Sequence, residues 1–245
     1  SNGIGKAHAL RLAKEGCNVG FCARDKIRLN KTLDEIKYYN PSAISISANL
    51  VKSDAVNYVF EKMISKFGQI DILINNFGGG GQKIEGNIQD MADSIWQNTY
   101  YKNAFTTVKF TMLSIPYMKN NNWGRVVTIS SINGKEGGGR PWYTMAKSAQ
   151  ISLMKTLSMK KEYSQHNITF NSIAPGAIKT SGNQWERMEK EHPQDLKQII
   201  SWKHPIGRLG TPNEVASVVA FVSSTHASLI NGACISVDGG ESKSF

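Results

Sequence analysis

Tyr143 and Lys147 stand four residues apart in Tyr143-Thr144-Met145-Ala146-Lys147, and Ser131 precedes the pair by twelve. On a helix that spacing is one turn of about 5.4 Å, so a phenol and an ammonium share a face. A phenol with a reference pKa of about 10 is a poor acid-base group at neutral pH, but a neighbouring cation favours the phenolate and lowers that value. Ser131 follows Val126-Val127-Thr128-Ile129, a β-branched run that reads as a buried strand ending where side chains become accessible. Its hydroxyl is therefore expected near the pair. Tyr-x-x-x-Lys also occurs on ordinary solvated helices, so this reading depends on the elements around it.

The chain opens with Ser1-Asn2-Gly3-Ile4-Gly5, and Ala7, Leu10, Leu12 and Ala13 follow in helical spacing up to Gly16. A glycine-rich turn entering a helix presents N–H groups and a positive helix end, which suit a phosphate; an unliganded loop is the plainer alternative. Such a turn normally follows a strand, and none precedes Ser1. Because the first strand of a doubly wound sheet is central, about ten further residues are expected ahead of Ser1. Asn18 to Cys22 reads as a strand, followed by Ala23-Arg24-Asp25. In dinucleotide-binding folds an acid here grips the ribose hydroxyls, whereas an arginine accommodates a 2′-phosphate. Ala23 occupies the acid's place and Arg24 follows, which favours NADP(H) while leaving NAD(H) possible. The alternative is that Arg24, Lys26, Arg28 and Lys31 form the solvated face of a helix ending near Tyr39.

Ala43 to Ala48 suggests the next strand, and Val56, Val59, Phe60, Met63 and Phe67 then mark one helical face. Asp71 to Ile74 is an apolar strand running through Asn75-Asn76-Phe77 into four glycines, Gly78 to Gly81, which permit close approach of a ligand. The alternation implies an α/β fold, a doubly wound parallel sheet with helices on both faces. A long helix is expected over 88–118, with Pro116 near its end and Asn103 inside it. Strand 125–129 follows, and Pro141 suits the first turn of a helix over 142–163. Ile168 to Ile173 is another strand, ended by Pro175-Gly176. The polar stretch 181–204 reads as a helical lid, with a surface helix pair as the alternative. Thr211-Pro212-Asn213-Glu214 opens a capped helix, and Cys234 to Val237 is a closing strand.

At 245 residues the chain fits one domain, residues 1–245. Its formal charge of +10 comes without a Lys/Arg block or an aromatic-interleaved basic stripe. Small anions are favoured as partners over nucleic acid. Three cysteines, Cys17, Cys22 and Cys234, do not make a disulfide framework. They point to a reducing, cytoplasmic setting. Apolar runs fall far short of the roughly 20 residues that span a bilayer, so no membrane is expected.

Gly3-Ile4-Gly5, Asn75-Asn76-x-Gly78, Asn103, Ser131, Tyr143-x-x-x-Lys147, Pro175-Gly176, Pro205-Ile206-Gly207-Arg208 and Val237-Asp238-Gly239-Gly240 occur together and in order. In this the whole chain resembles the short-chain dehydrogenases/reductases, specifically the branch of 3-oxoacyl carrier-protein reductases. The resemblance implies an NADP(H)-dependent enzyme that interconverts a carbonyl and a secondary alcohol. Tyr143 would be the proton donor, Ser131 rather than Ser130 would hold the substrate oxygen, Lys147 would bind the nicotinamide ribose, and Asn103 would anchor a relay water. Cofactor contacts would come from Ser1, Asn2, Gly3, Ile4, Gly5, Arg24, Asn49, Leu50, Asn76, Gly78, Tyr143, Lys147, Pro175, Gly176, Ile178 and Thr180, with Ile178 and Thr180 meeting the carboxamide; no metal is implied. The chain departs from the family at Phe77, where Ala is usual, at Asn49, where Asp is common, and at Asn122 and His166, where carrier-protein reductases tend to present arginines. A homotetramer or homodimer is expected through the helices at 88–118 and 142–163 and the C-terminal segment. A nucleotide-binding regulatory or scaffold protein without turnover is the alternative.

Overall fold

The structure, a computed structural model, describes residues 2–80 and 87–244. Ser1 and Gly81, both singled out from the sequence, lie outside these residues. Helix α1 (Gly3–Lys14) leads to strand β1 (Gly20–Ala23), α2 (Lys26–Lys37), β2 (Ile44–Ser47), α3 (Ala55–Phe67) and β3 (Ile72–Asn75). The middle of the chain forms α4 (Asp93–Tyr100), a π turn (Tyr101–Phe105), α5 (Thr106–Asn120), β4 (Gly124–Ile129), α6 (Pro141–Ser158) and a short α7 (Lys161–Ser164). Strand β5 (Ile168–Pro175), α8 (Gln184–Glu191), α9 (Pro193–Lys203), α10 (Pro212–Val222) and β6 (Cys234–Val237) complete it.

All pairings are parallel. Strands β3-β4-β5-β6 form one sheet, with Ile74 opposite Val127, Val127 opposite Asn171 and Ser172 opposite Cys234, while β1 and β2 pair separately. Between β1 and β3 lies a cavity of about 1150 Å³, lined by α1 and by both strands.

Every residue of β4 and of β5 is buried, which requires cover on both faces of the sheet. Successive side chains on a strand alternate between faces. Val126 accordingly packs with Phe170, Met118 and Met154 against α5 and α6, and Val127 with Ile173, Val215 and Val219 against α10. Burying each of these side chains contributes about 1.5–3 kcal/mol. Among the described residues no helix is long and apolar enough to cross a membrane.

Several elements stand where the sequence places them. Pro141 is the first residue of α6, and Thr211 with Glu214 forms a full capping box on α10. The single helix expected over 88–118 is instead divided by the π turn, where the Thr106 N–H reaches Tyr101 O and so takes in one extra residue. The helix expected to reach 163 ends at Ser158. The stretch 181–204 is two helices, since Pro193 has no N–H to continue α8 and instead starts α9.

Candidate active site

Helix α6 begins beside the C-terminal end of β4, so its first two turns face the loop that leaves that strand. Ser131 caps the turn Ile132–Gly134 by accepting from Asn133 N, and its hydroxyl lies close enough to the Tyr143 phenol to favour the ionised form. Ser130 donates to the main-chain oxygen of Lys147 at 2.9 Å and so ties helix to strand, leaving Ser131 as the hydroxyl that meets Tyr143. Lys147 is 4% exposed. Its Nζ donates to Ile129 O at 2.8 Å and to Gln150 Oε1 at 3.0 Å, and lies 5.7 Å from the centroid of the Tyr143 ring.

Burial, and then the charge of Lys102, lowers Lys147 to about 7. Burial raises the Tyr143 phenol above its ordinary value, and the nearby Ser131 hydroxyl offsets this only in part. The sequence expectation of an acidified phenol is thus reversed in the protein by itself. Desolvation disfavours the phenolate, and a lysine near 7 is only partly charged at neutral pH.

The π turn supplies the opposite wall. Asn103 is fully buried; its Oδ1 accepts from Gly79 N at 3.0 Å, and its Nδ2 donates to Thr99 O at 2.9 Å and to Gly79 O at 3.2 Å. Its main-chain oxygen accepts from Thr107 Oγ1 at 2.8 Å and from Gln150 Nε2 at 2.9 Å. The groups expected to anchor a relay water therefore meet protein partners instead. Gly78 has φ +155°, and a Cβ there would run into the Asn103 amide, so only glycine lets the chain cross between Asn103 and Lys147. Gly80 lies against the Tyr143 ring, and its oxygen accepts from Arg140 Nη1 at 3.1 Å.

On the cofactor side, Asn2 caps α1 by accepting from Gly3 N at 2.8 Å and donates to Ser181 O at 3.0 Å. Thr180 lies over Gly3, and the Asn76 amide stands 2.6 Å from where a Cβ of Gly5 would be. The start of α1, which includes Ile4, thus meets the ends of β3 and β5. Its first turn carries no acidic side chain. This glycine cradle at a helix N-terminus fits the phosphates of a dinucleotide. Arg24 is exposed at the end of β1, and Lys102, half-buried on the π turn, is lowered by burial and by the Arg24 charge. Both line the same cavity, and neither forms an ion pair among the described residues. Asn49 Oδ1 accepts from Val51 N at 3.5 Å. Leu50 and Ile178 are core residues, packed with Val56 and with Val215 respectively, and the Ile178 main-chain oxygen accepts from Asn183 Nδ2 at 2.8 Å. Pro175 closes β5, and Gly176 N donates to Val237 O at 3.2 Å, against Asp238 and Glu241.

The structure therefore brings Asn103, Ser131, Tyr143, Lys147 and Gly78 into one cluster, Asn2 and Gly3 against Thr180, and Arg24 towards Lys102. Lys102 and Gln150 are absent from the sequence reading. The signal for Gln150 was present in the spacing, since Tyr143, Lys147, Gln150 and Met154 are four, three and four apart and share one helical face. Among the described residues no group of His, Cys, Asp and Glu could hold a metal ion.

A family model described as enoyl-(acyl carrier protein) reductase matches residues 1–242. The chain is 34% identical over 242 residues to 3-oxoacyl-[acyl-carrier-protein] reductase FabG of Aquifex aeolicus, covering 98% of this chain and 93% of that one. It is 32% identical over 240 residues to acetoacetyl-CoA reductase of Cupriavidus necator, covering 97% and 93%. Among solved structures, YwfH, an NADPH-dependent reductase involved in bacilysin biosynthesis, superposes with a TM-score of 0.90 at 29% identity, covering 100% and 96%.

Proposed function

This chain belongs to the short-chain dehydrogenase/reductase family and is an oxidoreductase that interconverts a carbonyl and an alcohol with a nicotinamide cofactor, and we propose that Tyr143 moves the proton while NADP(H) is the preferred cofactor. The observation that carries this reading is the Ser131 hydroxyl set close enough to the Tyr143 phenol to favour its ionised form, with Lys147 Nζ 5.7 Å from the centre of the Tyr143 ring. When bound, the nicotinamide supplies or accepts the hydride. The chain's own part is to place two O–H groups where negative charge develops on the substrate oxygen, and to stabilise it there. In carbonyl reduction Tyr143 gives its proton to that oxygen, a task helped by the burial that keeps the phenol protonated. In alcohol oxidation the phenolate must form, which calls on the charge of Lys147. The scaffold alternative finds no support among the relatives described above.

Preference for NADP(H) rests on Arg24, with Lys102 beside it, at the end of β1. The substrate is read as a small carbonyl compound rather than a carrier-bound thioester. Asn122 and His166, at the places of the carrier-protein reductases' arginines, hydrogen-bond each other at 2.7 Å. Helices α8 and α9 are read as its lid, tied to the β5 loop by the Lys179–Glu189 ion pair at 2.9 Å. Assembly as a tetramer or dimer through α4, α5 and α6 is supported by Tyr100, Phe105, Met112 and Met145, large apolar side chains 40–44% exposed on these elements and on the π turn between α4 and α5. Three free cysteines support a cytoplasmic setting.

The test is a panel of ketones, aldehydes and acyl thioesters followed by the loss of NADPH absorbance, alongside NADPH and NADH titrations. Turnover of at least one small carbonyl and tighter binding of NADPH are expected. Tight NADPH binding with no oxidation across the panel would overturn the catalytic reading.

A further inference from the structure

We propose that Gln150 is a positioning residue for the acid-base pair: its side-chain amide joins the Lys147 ammonium to the main chain of the π turn and so fixes Lys147 beneath Tyr143. This rests on the reading of Tyr143 and Lys147 as that pair. Gln150 has no exposed surface, and each polar atom of its amide is used. Oε1 accepts from Lys147 Nζ at 3.0 Å, while Nε2 donates to Asn103 O and to Thr107 Oγ1, each at 2.9 Å. The orientation of the amide is forced. Turned over, it would set an N–H against an ammonium and an oxygen against the Asn103 carbonyl, and Thr107 Oγ1 would donate to it only by giving up Asn103 O.

An ammonium has three donors. Ile129 O and Gln150 Oε1 take two, so the third is left for the side of Gly78 and Tyr143. The charged and titratable groups facing Lys147 are Tyr143 on its own helix and Lys102 on the π turn, and no described carboxylate pairs with it. The two acceptor oxygens thus favour the charged form that burial opposes, and aim it. They do so without a carboxylate, which would cancel the positive field that Tyr143 needs. With an apolar side chain at 150, Lys147 would retain one fixed acceptor, lose charge at a lower pH and swing about its long stem.

Gln150→Met keeps the length and volume of the side chain and removes the acceptor. In alcohol oxidation with NADP⁺, its pH–kcat profile is expected to move upward by about one unit, a loss of about tenfold at pH 7. KM for the alcohol and the NADP⁺ dissociation constant should stay within about threefold. A second readout needs no turnover: the rise in urea midpoint as pH increases through the Lys147 titration should start at lower pH in Gln150→Met. If that variant does not fold, Gln150→Glu, which keeps an acceptor against Lys147, should move the same rise to higher pH. A pH–kcat profile left in place, or a Lys147 transition that does not move, overturns the proposal. Tyr143→Phe run in parallel separates the two readings: turnover retained there removes the acid-base pair itself, whereas an inactive Tyr143→Phe with an unshifted Gln150→Met removes only the role of Gln150.

Discussion

The Lys147 ammonium lies 2.8 Å from the main-chain oxygen of Ile129, the last residue of β4. A carbonyl dipole there orients the charge without neutralising it, at the expense of fold stability. Lys147 titrates at about 7 in the folded chain against an ordinary 10.5. Between these values the unfolded chain binds more protons, so this contribution makes stability rise with pH from about 7 to about 10.5. Lys147→Met should therefore be more stable than the parent below pH 7, with the gain fading to nothing as pH approaches 10.5. Its activity should fall by at least about 10²-fold. Urea midpoints at pH 6 and pH 10 check the first part and initial rates the second.

Tyr143 is held by Ser131 on one side and by the Gly80 main chain on the other. Its ring packs the cleft whether or not the hydroxyl is present. Tyr143→Phe should thus leave NADPH binding within a few-fold and reduce kcat by about 10²–10⁴. Ser131→Ala, which removes one of two donors to the developing oxyanion, should cost about 10²–10³ in kcat. Fluorescence titration of NADPH beside steady-state rates separates binding from chemistry, and a kcat near the parent's in Tyr143→Phe would remove it from the acid role.

How far these side chains were legible in the sequence follows from what spacing records. Val126 and Val127, apolar in succession, announced a strand covered on both faces, and Thr211 with Glu214 announced a helix start; both are local patterns. The π turn is hidden because its one extra residue moves the apolar pattern of α5 by a single position relative to α4, and so short a break in phase is lost between an eight-residue helix and the next. Spacing puts Gln150 on the face of Tyr143 and Lys147, but its partners on the π turn come from the packing of α6 against that turn, which spacing does not record. Leu50 and Ile178 sit where ligand contacts were expected, yet their apolar side chains fill the core. The direction of the Tyr143 shift depends on burial, which no one-turn spacing encodes.

Arg24, at the end of β1, and Lys102, on the π turn, line one cavity, and the ion pairs among the described residues include neither. A phosphate placed between them would gain charge-assisted hydrogen bonds of about 1.5–3 kcal/mol each. Arg24→Ser should weaken NADP⁺ by about 10–100-fold while changing NAD⁺ only a few-fold. Lys102→Met should weaken NADP⁺ in the same direction. Titration calorimetry with both cofactors decides it, and an equal loss for NADP⁺ and NAD⁺ in Arg24→Ser would place the 2′-phosphate elsewhere.

His8 on α1 lines the cavity between β1 and β3, is 3% exposed, and has neither ring nitrogen hydrogen-bonded among the described residues. Burial lowers it from 6.5 to about 4. In this window the unfolded chain binds the proton that the folded chain refuses, so stability is present above about 6.5 and is lost as pH falls towards 4. The loss amounts to roughly 3 kcal/mol from this residue. His8→Leu keeps an apolar side chain of similar length in the same wall and removes both the titration and two unpaired buried nitrogens, which cost about 1–3 kcal/mol at neutral pH. The variant should have the higher urea midpoint at pH 7.5 and a wider advantage at pH 4.5. Carboxylates elsewhere change both proteins alike, so the difference between the two curves isolates His8. Parallel curves across that range would mean that His8 is protonated, or partnered, in the folded protein.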